Sequence, residues 1–319
     1  MLVLTSAEDV TANVVIEALN ERGAQIMRVD PADVGPGLTF GAYIGDDRMD
    51  WAGRLRTPTR DIAVEEVGAV YYRRPTPFST RFAHLPAMDR EFAATEAQHG
   101  LGGVLRSLNA TYVNHPSALT RADFKPAQLQ AAAQLGLTVP LTLITNDVVQ
   151  AREFAAKHGP IIYKSFRGAP SSPDGAAAIW TQRVTEHELD ESLAVTAHLF
   201  QAEVRKTSDV RVTVIGQRVF ASRITVPDDT LDWRSGDWDE LGYDPIPVPE
   251  PIADALHAYL HHFGLVFGCF DFALEAASGQ ASERWTFIEC NPNGQWAWLP
   301  DSDAMAHAFA DVLLKGWWS

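Results

Sequence analysis

Between Asp209 and Gly216 the chain reads Asp-Val-Arg-Val-Thr-Val-Ile-Gly, so that Asp209, Arg211 and Thr213 alternate with Val210, Val212 and Val214. Period-two alternation puts the valines on the core face of a β-sheet and the three polar side chains on the other. Gly216-Gln217 then supplies a turn and the chain returns as Arg218 to Ile224, which predicts an antiparallel hairpin with one face available to a ligand. By itself this is an ordinary amphipathic hairpin. Two later segments add chemistry to it. In Trp285-Thr-Phe-Ile-Glu-Cys-Asn-Pro-Asn-Gly, alternation turns Ile288 and Cys290 inward and sets Glu289 and Asn291 on the opposite face. A carboxylate and an amide oxygen at i and i+2 reach one hard cation, the requirement of magnesium bound to nucleotide phosphates. In Phe267-Gly-Cys-Phe-Asp-Phe-Ala-Leu a lone acid, Asp271, interrupts an apolar strand. A buried carboxylate needs a partner, and a cation, a hydrogen-bond donor or a structural salt bridge would each supply one.

A chain of 319 residues, 46% hydrophobic and 21% charged, is long enough for two or three units with their own cores. Its apolar stretches are strand-length, short of the roughly 20 residues that cross a bilayer, so no membrane partner is expected. Met1-Leu-Val-Leu-Thr-Ser lacks the basic flank and cleavage site of a signal peptide and reads as a first buried strand, which places the protein in the cytoplasm. A net charge of −15 with no concentrated basic segment argues against nucleic acid as a partner. Cys269 and Cys290 sit in apolar runs and read as small buried hydrophobes.

Three units follow from the pattern. Leu2 to Thr5, Val14 to Arg22, Ile26 to Asp30 and Ala69 to Tyr72 alternate strand and helix as in a small parallel α/β unit, closed by a helical run from Arg90 to Leu108 and the breaker Asn114-His-Pro116. A second unit holds a helix from Ala122 to Leu135, a capped helix after Asn146-Asp147 and the strand Pro160 to Lys164. The third is rich in long strands and carries a polar insertion from Val226 to Pro251. Lys164 precedes a small-residue loop, Ser165 to Gly175, able to bring backbone amides close to phosphates. Neither Gly-x-x-x-x-Gly-Lys-Ser/Thr nor Gly-x-Gly-x-x-Gly occurs, and no His-Glu-x-x-His, which leaves P-loop nucleotidases, Rossmann dehydrogenases and zinc hydrolases without a motif.

Taken in order, these segments resemble the ATP-grasp superfamily, and within it the ribosomal-peptide maturases that make graspetides, the microviridin-type omega-ester peptide ligases. The likeness is carried by Tyr71-Tyr-Arg-Arg-Pro75, Asn114-His-Pro116, Asp123-Phe-Lys-Pro126, Pro140 to Asn146, Lys164, Asp209-Val-Arg211, Asp232-Trp-Arg234, Asp271 and Glu289-Cys-Asn-Pro-Asn293, and it spans nearly the whole chain. The Glu-x-Asn and Asp-x-Arg elements belong to the superfamily, while Tyr-Arg-Arg-Pro and Asp-Trp-Arg point to the peptide maturases. The resemblance implies an α/β (α+β) ATP-grasp fold with a pre-ATP-grasp domain at 1–116, a central subdomain with its lid loop at 117–199, and an antiparallel-sheet subdomain with the metal site at 200–319. The nucleotide lies between the last two.

It also implies ATP and two magnesium ions as cofactors. Lys125 and Lys164 match the lysines that hold the phosphates, and the loop after Lys164 matches the lid. Gln201, Ala202, Glu203 and Val204 match the hinge whose backbone reads adenine, with Glu203 or Lys206 near the ribose. Family members carry an acid and then an aromatic where this chain has Ala202 and Glu203, so only backbone contacts carry over. Asp271, Glu289 and Asn291 match metal ligands. Arg211 and Arg234, with Asp209 beside them, match the groups around the transferred phosphate and the substrate carboxylate. Arg73, Arg74, Asp232, Trp233 and Asn293 match the substrate side, although Arg73-Arg74 reads equally as a basic strand end or a dimer support, and Asp232-Trp-Arg234 as a folded loop.

The implied reaction phosphorylates Asp or Glu side chains of a ribosomal precursor peptide, with a leader and an acidic, hydroxyl-rich core, and closes omega-ester or omega-amide rings with Ser, Thr or Lys. A homodimer is implied. The leader could meet Asp228, Asp229, Asp237, Asp239 and Glu240, or add as a strand to an exposed hairpin edge. A ligase of free amino acids or dipeptides would share every nucleotide-binding residue. An inactive binding module is disfavoured by the intact set Lys125, Lys164, Glu289 and Asn291.

Overall fold

The computed structural model describes residues 1–167, 179–226, 230–236, 240–276 and 283–316. Most of the expected lid loop and the acidic residues Asp228, Asp229, Asp237 and Asp239 lie outside the described residues. The chain opens with β1 (Leu2–Leu4), helix α1 (Val10–Glu21) and β2 (Met27–Val29). Asp9 caps α1 by accepting from the Ala12 amide at 3.3 Å, and the Thr5 hydroxyl fixes that carboxylate at 2.6 Å. An antiparallel meander follows: β3 (Thr39–Gly45), β4 (Arg48–Arg56) and β5 (Asp61–Ala63). The sequence pattern gave no warning of it, because β3 is exposed along almost its whole length and no period-two burial marks it. Then come β6 (Ala69–Tyr72), α2 (Phe78–Arg81), α3 (Ala87–His99), α4 (Leu101–Arg106) and β7 (Thr111–Val113). The helix expected from Arg90 to Leu108 is therefore two, broken at Gly100. Strands β2-β1-β6-β7 pair in that order, all parallel.

The helix expected from Ala122 to Leu135 is α6 (Lys125–Gln134), and a separate helix, α5 (Pro116–Ala122), precedes it. The break sets Lys125 at the first position of α6, with Pro126 in the first turn, where a missing N–H costs nothing. A cation there opposes the helix dipole, so Lys125 needs an anion nearby. Next are β8 (Thr142–Thr145), α7 (Val148–His158), β9 (Ile161–Lys164), β10 (Gln182–Val184) and β11 (His198–Ala202), which form an antiparallel sheet in the order β10-β9-β11-β8.

The last part holds β12 (Lys206–Ile215), β13 (Arg218–Thr225), β14 (Gly242–Pro245), α8 (Glu250–Phe263), β15 (Phe267–Glu275), β16 (Arg284–Asn291) and α9 (Ser302–Lys315). Its antiparallel sheet runs β14-β13-β12-β15-β16. The hairpin turns at Gly216, whose φ of +56° suits glycine, and Ile215 pairs Arg218 as the alternation requires.

The structure corrects two expectations here. The polar face of the hairpin is not open along its length: Thr213 is fully buried and Arg211 only 5% exposed. Val210, Val212 and Val214 pack with Phe270, Phe272 and the Leu256, Tyr259 and Phe263 side chains of α8. On the other face Ile215, Phe267 and Cys269 join Trp296 and Phe309 in a core shared with Val3, Tyr71 and Val113 of the N-terminal sheet. Phe309 of α9 lies 5.3 Å from the Tyr71 ring, 4.8 Å from Phe267 and 5.1 Å from Trp296. At roughly 1.5–3 kcal/mol per buried side chain of this size, α9 fastens the two sheets together. Of the polar face, Asp209 reaches a slot and Arg211 a cleft, while Thr213 reaches neither.

The second correction concerns Ile288. Phe272 pairs Phe287 but Asp271 pairs Glu289, so a bulge skips Ile288. Phe287 and Cys290 therefore both enter the core, and Ile288 leaves it for the cleft. Both cysteines are free and buried. Among the described residues no helix is long and apolar enough to cross a membrane.

Candidate active site

Strand register sets Arg211 opposite Asp271 and Asp271 opposite Glu289, a charged rung across β12, β15 and β16. Arg211 Nη1 donates to both Asp271 oxygens, at 2.9 and 3.3 Å. Asn291 Nδ2 donates to Asp271 Oδ2 and to Glu289 Oε1, each at 3.3 Å, so an amide and two carboxylates converge. Glu289 also accepts from Lys125 Nζ, the anion that α6 needs, and from Arg234 Nη1 at 2.7 Å. Asp232 holds Arg234 through a fork, Nε to Oδ1 at 2.9 Å and Nη2 to Oδ2 at 3.0 Å. Lys206 Nζ donates to Asp209 at 2.5 Å and to the Leu231 carbonyl at 2.9 Å.

Burial disfavours charge on all these groups, and the neighbours decide the outcome. Burial would raise the Glu289 pKa, but Lys125, Arg234 and Lys164 together outweigh it and hold the carboxyl well below its usual range. For Asp271 burial wins over Arg211, the Glu289 charge adds to it, and the pKa is raised. Burial pushes Asp209 up to about 6 despite Lys206. The Lys164 ammonium is pulled down to about 8, by burial first and then by Lys125 and Arg234, with Glu289 opposing.

Three connected spaces surround the rung. A narrow slot between the two antiparallel sheets is walled by Ile162, Ala202 and Val204 on one side and by Ala273 and Ile288 on the other, and is lined also by Lys164 and Glu289. Lys164, Arg234 and Glu289 line in turn a pocket of about 300 Å³ that includes Lys125 and Asn291. That pocket shares Lys125, Arg234 and Asn291 with an open cleft of about 990 Å³, lined further by Arg74, Arg211, Asn293 and Trp298. The slot holds only about 60 Å³ as it stands, with Lys206, Asp209 and Asp271 beside its aliphatic walls, so a flat base enters only if the two sheets part; a cationic neck suits phosphates, and the wide cleft suits an extended substrate. Gln201 lines the slot, and its Nε2 donates to Thr142 Oγ1 at 3.0 Å while its buried Oε1 has no partner among the described residues. Among the described residues no group of three or more His, Cys, Asp or Glu forms a metal site. The Asn291 amide presents its nitrogen to Asp271 and Glu289; with that amide flipped, the three residues offer a hard-oxygen set that fits magnesium.

The structure places the remaining sequence candidates as follows. The amides of Ala202 and Glu203 donate to Leu141 and Pro160 carbonyls, each at 2.9 Å, so these two hinge amides are committed to the backbone and do not read a base. The Glu203 carboxylate takes a fork from Arg183 at 2.8–3.1 Å and, with Lys206, lines an adjoining cavity of about 420 Å³ that shares Val204, Lys206 and Leu231 with the slot. Arg73, expected on the substrate side, is instead a strut. It is 1% exposed, donates from Nη1 to the carbonyls of Asn293 at 2.6 Å and Gly294 at 2.9 Å, and its own carbonyl accepts from Asn293 Nδ2. Arg74 does line the cleft. Trp233 is buried with its ring 5.8 Å from the Arg211 guanidinium and 5.5 Å from the Trp298 ring. A side chain on Gly294 would come within 2.8 Å of Arg211 Nη2 and 2.6 Å of Cys269 Cβ, so only glycine lets this loop back Arg211.

Sequence reading assigned no role to two clamps on the same loop. Gln128 accepts from the Cys290 amide at 3.0 Å and donates to the Cys290 carbonyl at 2.9 Å and the Ala122 carbonyl at 2.6 Å, locking α6, and with it Lys125, to β16. Asn114 donates to the carbonyls of Phe267 at 2.8 Å and Pro292 at 2.7 Å and accepts from the Val266 and Phe267 amides at 2.7 and 3.0 Å. Apart from Ala122, the partners are backbone atoms more than 150 residues away, and local sequence carries no trace of them.

Residues 1–120 match the family model of the MvdD pre-ATP grasp domain. The whole chain is similar in structure to macrocyclase MdnC of Microcystis aeruginosa, solved with precursor peptide MdnA, at a TM-score of 0.85 and 26% identity over 98% of each chain. It is similar to a RiPP-associated ATP-grasp ligase of Chryseobacterium gregarium, solved with ADP and a leader and core peptide, at a TM-score of 0.88 and 25% identity over 98% of this chain and 95% of that one. Macrocyclase MdnB of Microcystis aeruginosa gives 0.78 and 26% over 99% and 98%. Sequence comparison with characterised proteins gives no match. The fold is that of the ATP-grasp ligases, as the motifs implied.

Proposed function

We propose that this chain, an ATP-grasp ligase similar along its whole length to peptide macrocyclases, activates Asp or Glu side chains of a ribosomal precursor peptide with ATP and closes omega-ester or omega-amide rings. The supporting observation is the continuous path from the narrow slot between the sheets through the Lys125, Lys164 and Arg234 neck to the wide cleft. A cleft of about 990 Å³ suits a peptide strand better than a single amino acid. In this reading 1–116 is the pre-ATP-grasp domain, 117–199 the central subdomain and 200–319 the subdomain with the metal site.

Asp271, Glu289 and Asn291 hold magnesium, with two ions proposed, and the metal supplies charge neutralisation at the nucleotide phosphates. Lys125, Lys164 and Arg234 hold the same phosphates and lower the repulsion between them and the incoming carboxylate. Asp232 keeps the Arg234 fork in place. Arg211, paired with Asp271 and backed by Gly294 and Trp233, meets the substrate carboxylate at the cleft. That carboxylate attacks the γ-phosphorus, the bond to the β–γ bridging oxygen breaks, and ADP leaves. A Ser or Thr hydroxyl or a Lys amine then attacks the acyl phosphate carbon. Phosphate departs and takes up the proton released by the nucleophile, so the peptide loses one water per ring. A homodimer in the cytoplasm completes the reading, and light scattering at about twice 35.0 kDa would support it.

The test is mass spectrometry of a short Thr-, Asp- and Glu-rich peptide encoded beside this gene, after incubation with the enzyme, ATP and magnesium. Losses in steps of about 18 Da are expected, one water per ring. An untouched peptide alongside ligation of free amino acids would assign the enzyme to amino-acid ligation instead.

A further inference from the structure

The N-terminal parallel sheet has the order β2-β1-β6-β7, so the chain turns one way from β1 to β2 and the other way to β6. In open α/β sheets such a reversal opens a crevice beyond the carboxyl ends of the two strands, and ligands bind there. The carboxyl ends here are Leu4 and Tyr72, and both line a cavity of about 810 Å³, separate from the spaces around the rung. Its wall is α3, which buries none of its residues. The α3 residues that line the cavity include Ala87, Ala94 and Gln98, where a helix packed on a core would carry large apolar side chains. The crevice therefore stays open because its helix is built with small and polar residues on that side. Phe78 and Leu105 give it apolar surface.

Two guanidiniums, Arg90 and Arg106, line the same cavity against one carboxylate, Glu91. Neither guanidinium has a hydrogen bond or ion pair among the described residues. Other surface arginines of this acidic chain, such as Arg22, Arg54, Arg218 and Arg223, are paired with Asp or Glu. The crevice also adjoins the active cleft: Arg74 lines the cleft, while its neighbours Tyr72, Pro75 and Thr76 line the crevice.

We propose that this crevice is a second binding site for the precursor peptide, taking an acidic segment of it remote from the side chain being activated. The proposal rests on the peptide-ligase reading above. Apolar side chains of the segment pack on Phe78 and Leu105, its carboxylates pair with Arg90 and Arg106, and the chain crosses beside Arg74 into the cleft. Holding the substrate at two connected points raises the effective concentration of the reacting carboxylate at the rung.

The experiment compares wild type, Arg90→Glu/Arg106→Glu and Ala94→Trp, using the peptide that the wild-type enzyme dehydrates. The charge reversal removes the cations and the tryptophan fills the space. Each is expected to raise the KM for peptide, and the Kd from fluorescence anisotropy of the labelled peptide, by about tenfold or more, with the KM for ATP unchanged. Circular dichroism and the ATP KM report whether each variant is folded. If wild type dehydrates the peptide and both folded variants keep its KM, the crevice proposal fails while the ligase reading stands. If the variants keep that KM and turn from dimer to monomer, the crevice belongs to a second copy of the chain and the proposal is overturned. If wild type dehydrates no peptide, the ligase reading fails and the crevice proposal falls with it.

Discussion

On one face of β12, Val210, Val212 and Val214 are at most 1% exposed and pack on β15 and α8; on the other, Asp209, Arg211 and Thr213 are at most 8% exposed and lean on Lys206, Asp271 and Cys269. Burial is nearly the same and the energetics are opposite. Each valine stabilises the fold by roughly 1.5 kcal/mol or more through area removed from water. The ion pairs lose hydration that their mutual attraction only about restores, so a buried pair is weak evidence of stability. A strand that keeps charges where valines would serve does so for what those charges do.

That contrast can be broken at several points. The largest effect is expected from Glu289→Gln or Asn291→Ala, which should cut magnesium-dependent ATP turnover by about 100- to 1,000-fold while circular dichroism stays native. Undiminished turnover in either variant would remove the metal assignment. Next, Arg211→Met leaves Asp271 buried without its cation and should cost about 3–5 kcal/mol in urea unfolding. Adding Asp271→Leu should return most of that stability and none of the turnover, which separates the two faces by purpose. If the double variant stays as unstable as the single one, the pair is structural and the contrast disappears.

A smaller effect is expected at Gln128→Leu. Its three hydrogen bonds fix α6 against β16, and their loss should cost about 1–3 kcal/mol and raise the KM for ATP more than it lowers kcat, because Lys125 loses its register with Glu289. An equal fall in both parameters would make Gln128 a stability residue alone. The smallest effect is on pH dependence. Lys164 loses its proton in the free enzyme as pH rises through about 8, so kcat/KM for ATP should fall above that pH. Its lowered pKa makes the charged lysine costly in the folded free enzyme, a cost relieved as pH rises from about 8 toward the model-peptide value or when a phosphate binds. In Lys164→Arg the alkaline limb should vanish, since arginine keeps its charge.

The hairpin was legible in the sequence because it rests on strict alternation and on a glycine turn, both local. Residues that converge at the cleft, Lys125, Lys164, Arg211, Arg234, Asp271, Glu289 and Asn291, were legible as types on strands or beside motifs, but their mutual contacts were not. The meander β3 to β5 was missed because exposed strands carry no burial period. Ile288 was put on the wrong face because a one-residue bulge inverts parity and leaves no mark in composition. Arg73 was read as a cleft residue like Arg74. Alternation along one strand end cannot reveal that the Asn293 and Gly294 carbonyls, 220 and 221 residues away, take up its guanidinium.

The central claim is that the polar face of β12 and its partners activate a side-chain carboxylate through an acyl phosphate. Incubation of enzyme, peptide, ATP and magnesium with hydroxylamine tests it directly, because hydroxylamine captures acyl phosphates as hydroxamates. Peptide fragments should carry a gain of about 15 Da at Asp or Glu, at the expense of ring closure and only when ATP is present. Ring closure with no hydroxamate at any hydroxylamine concentration would contradict the account.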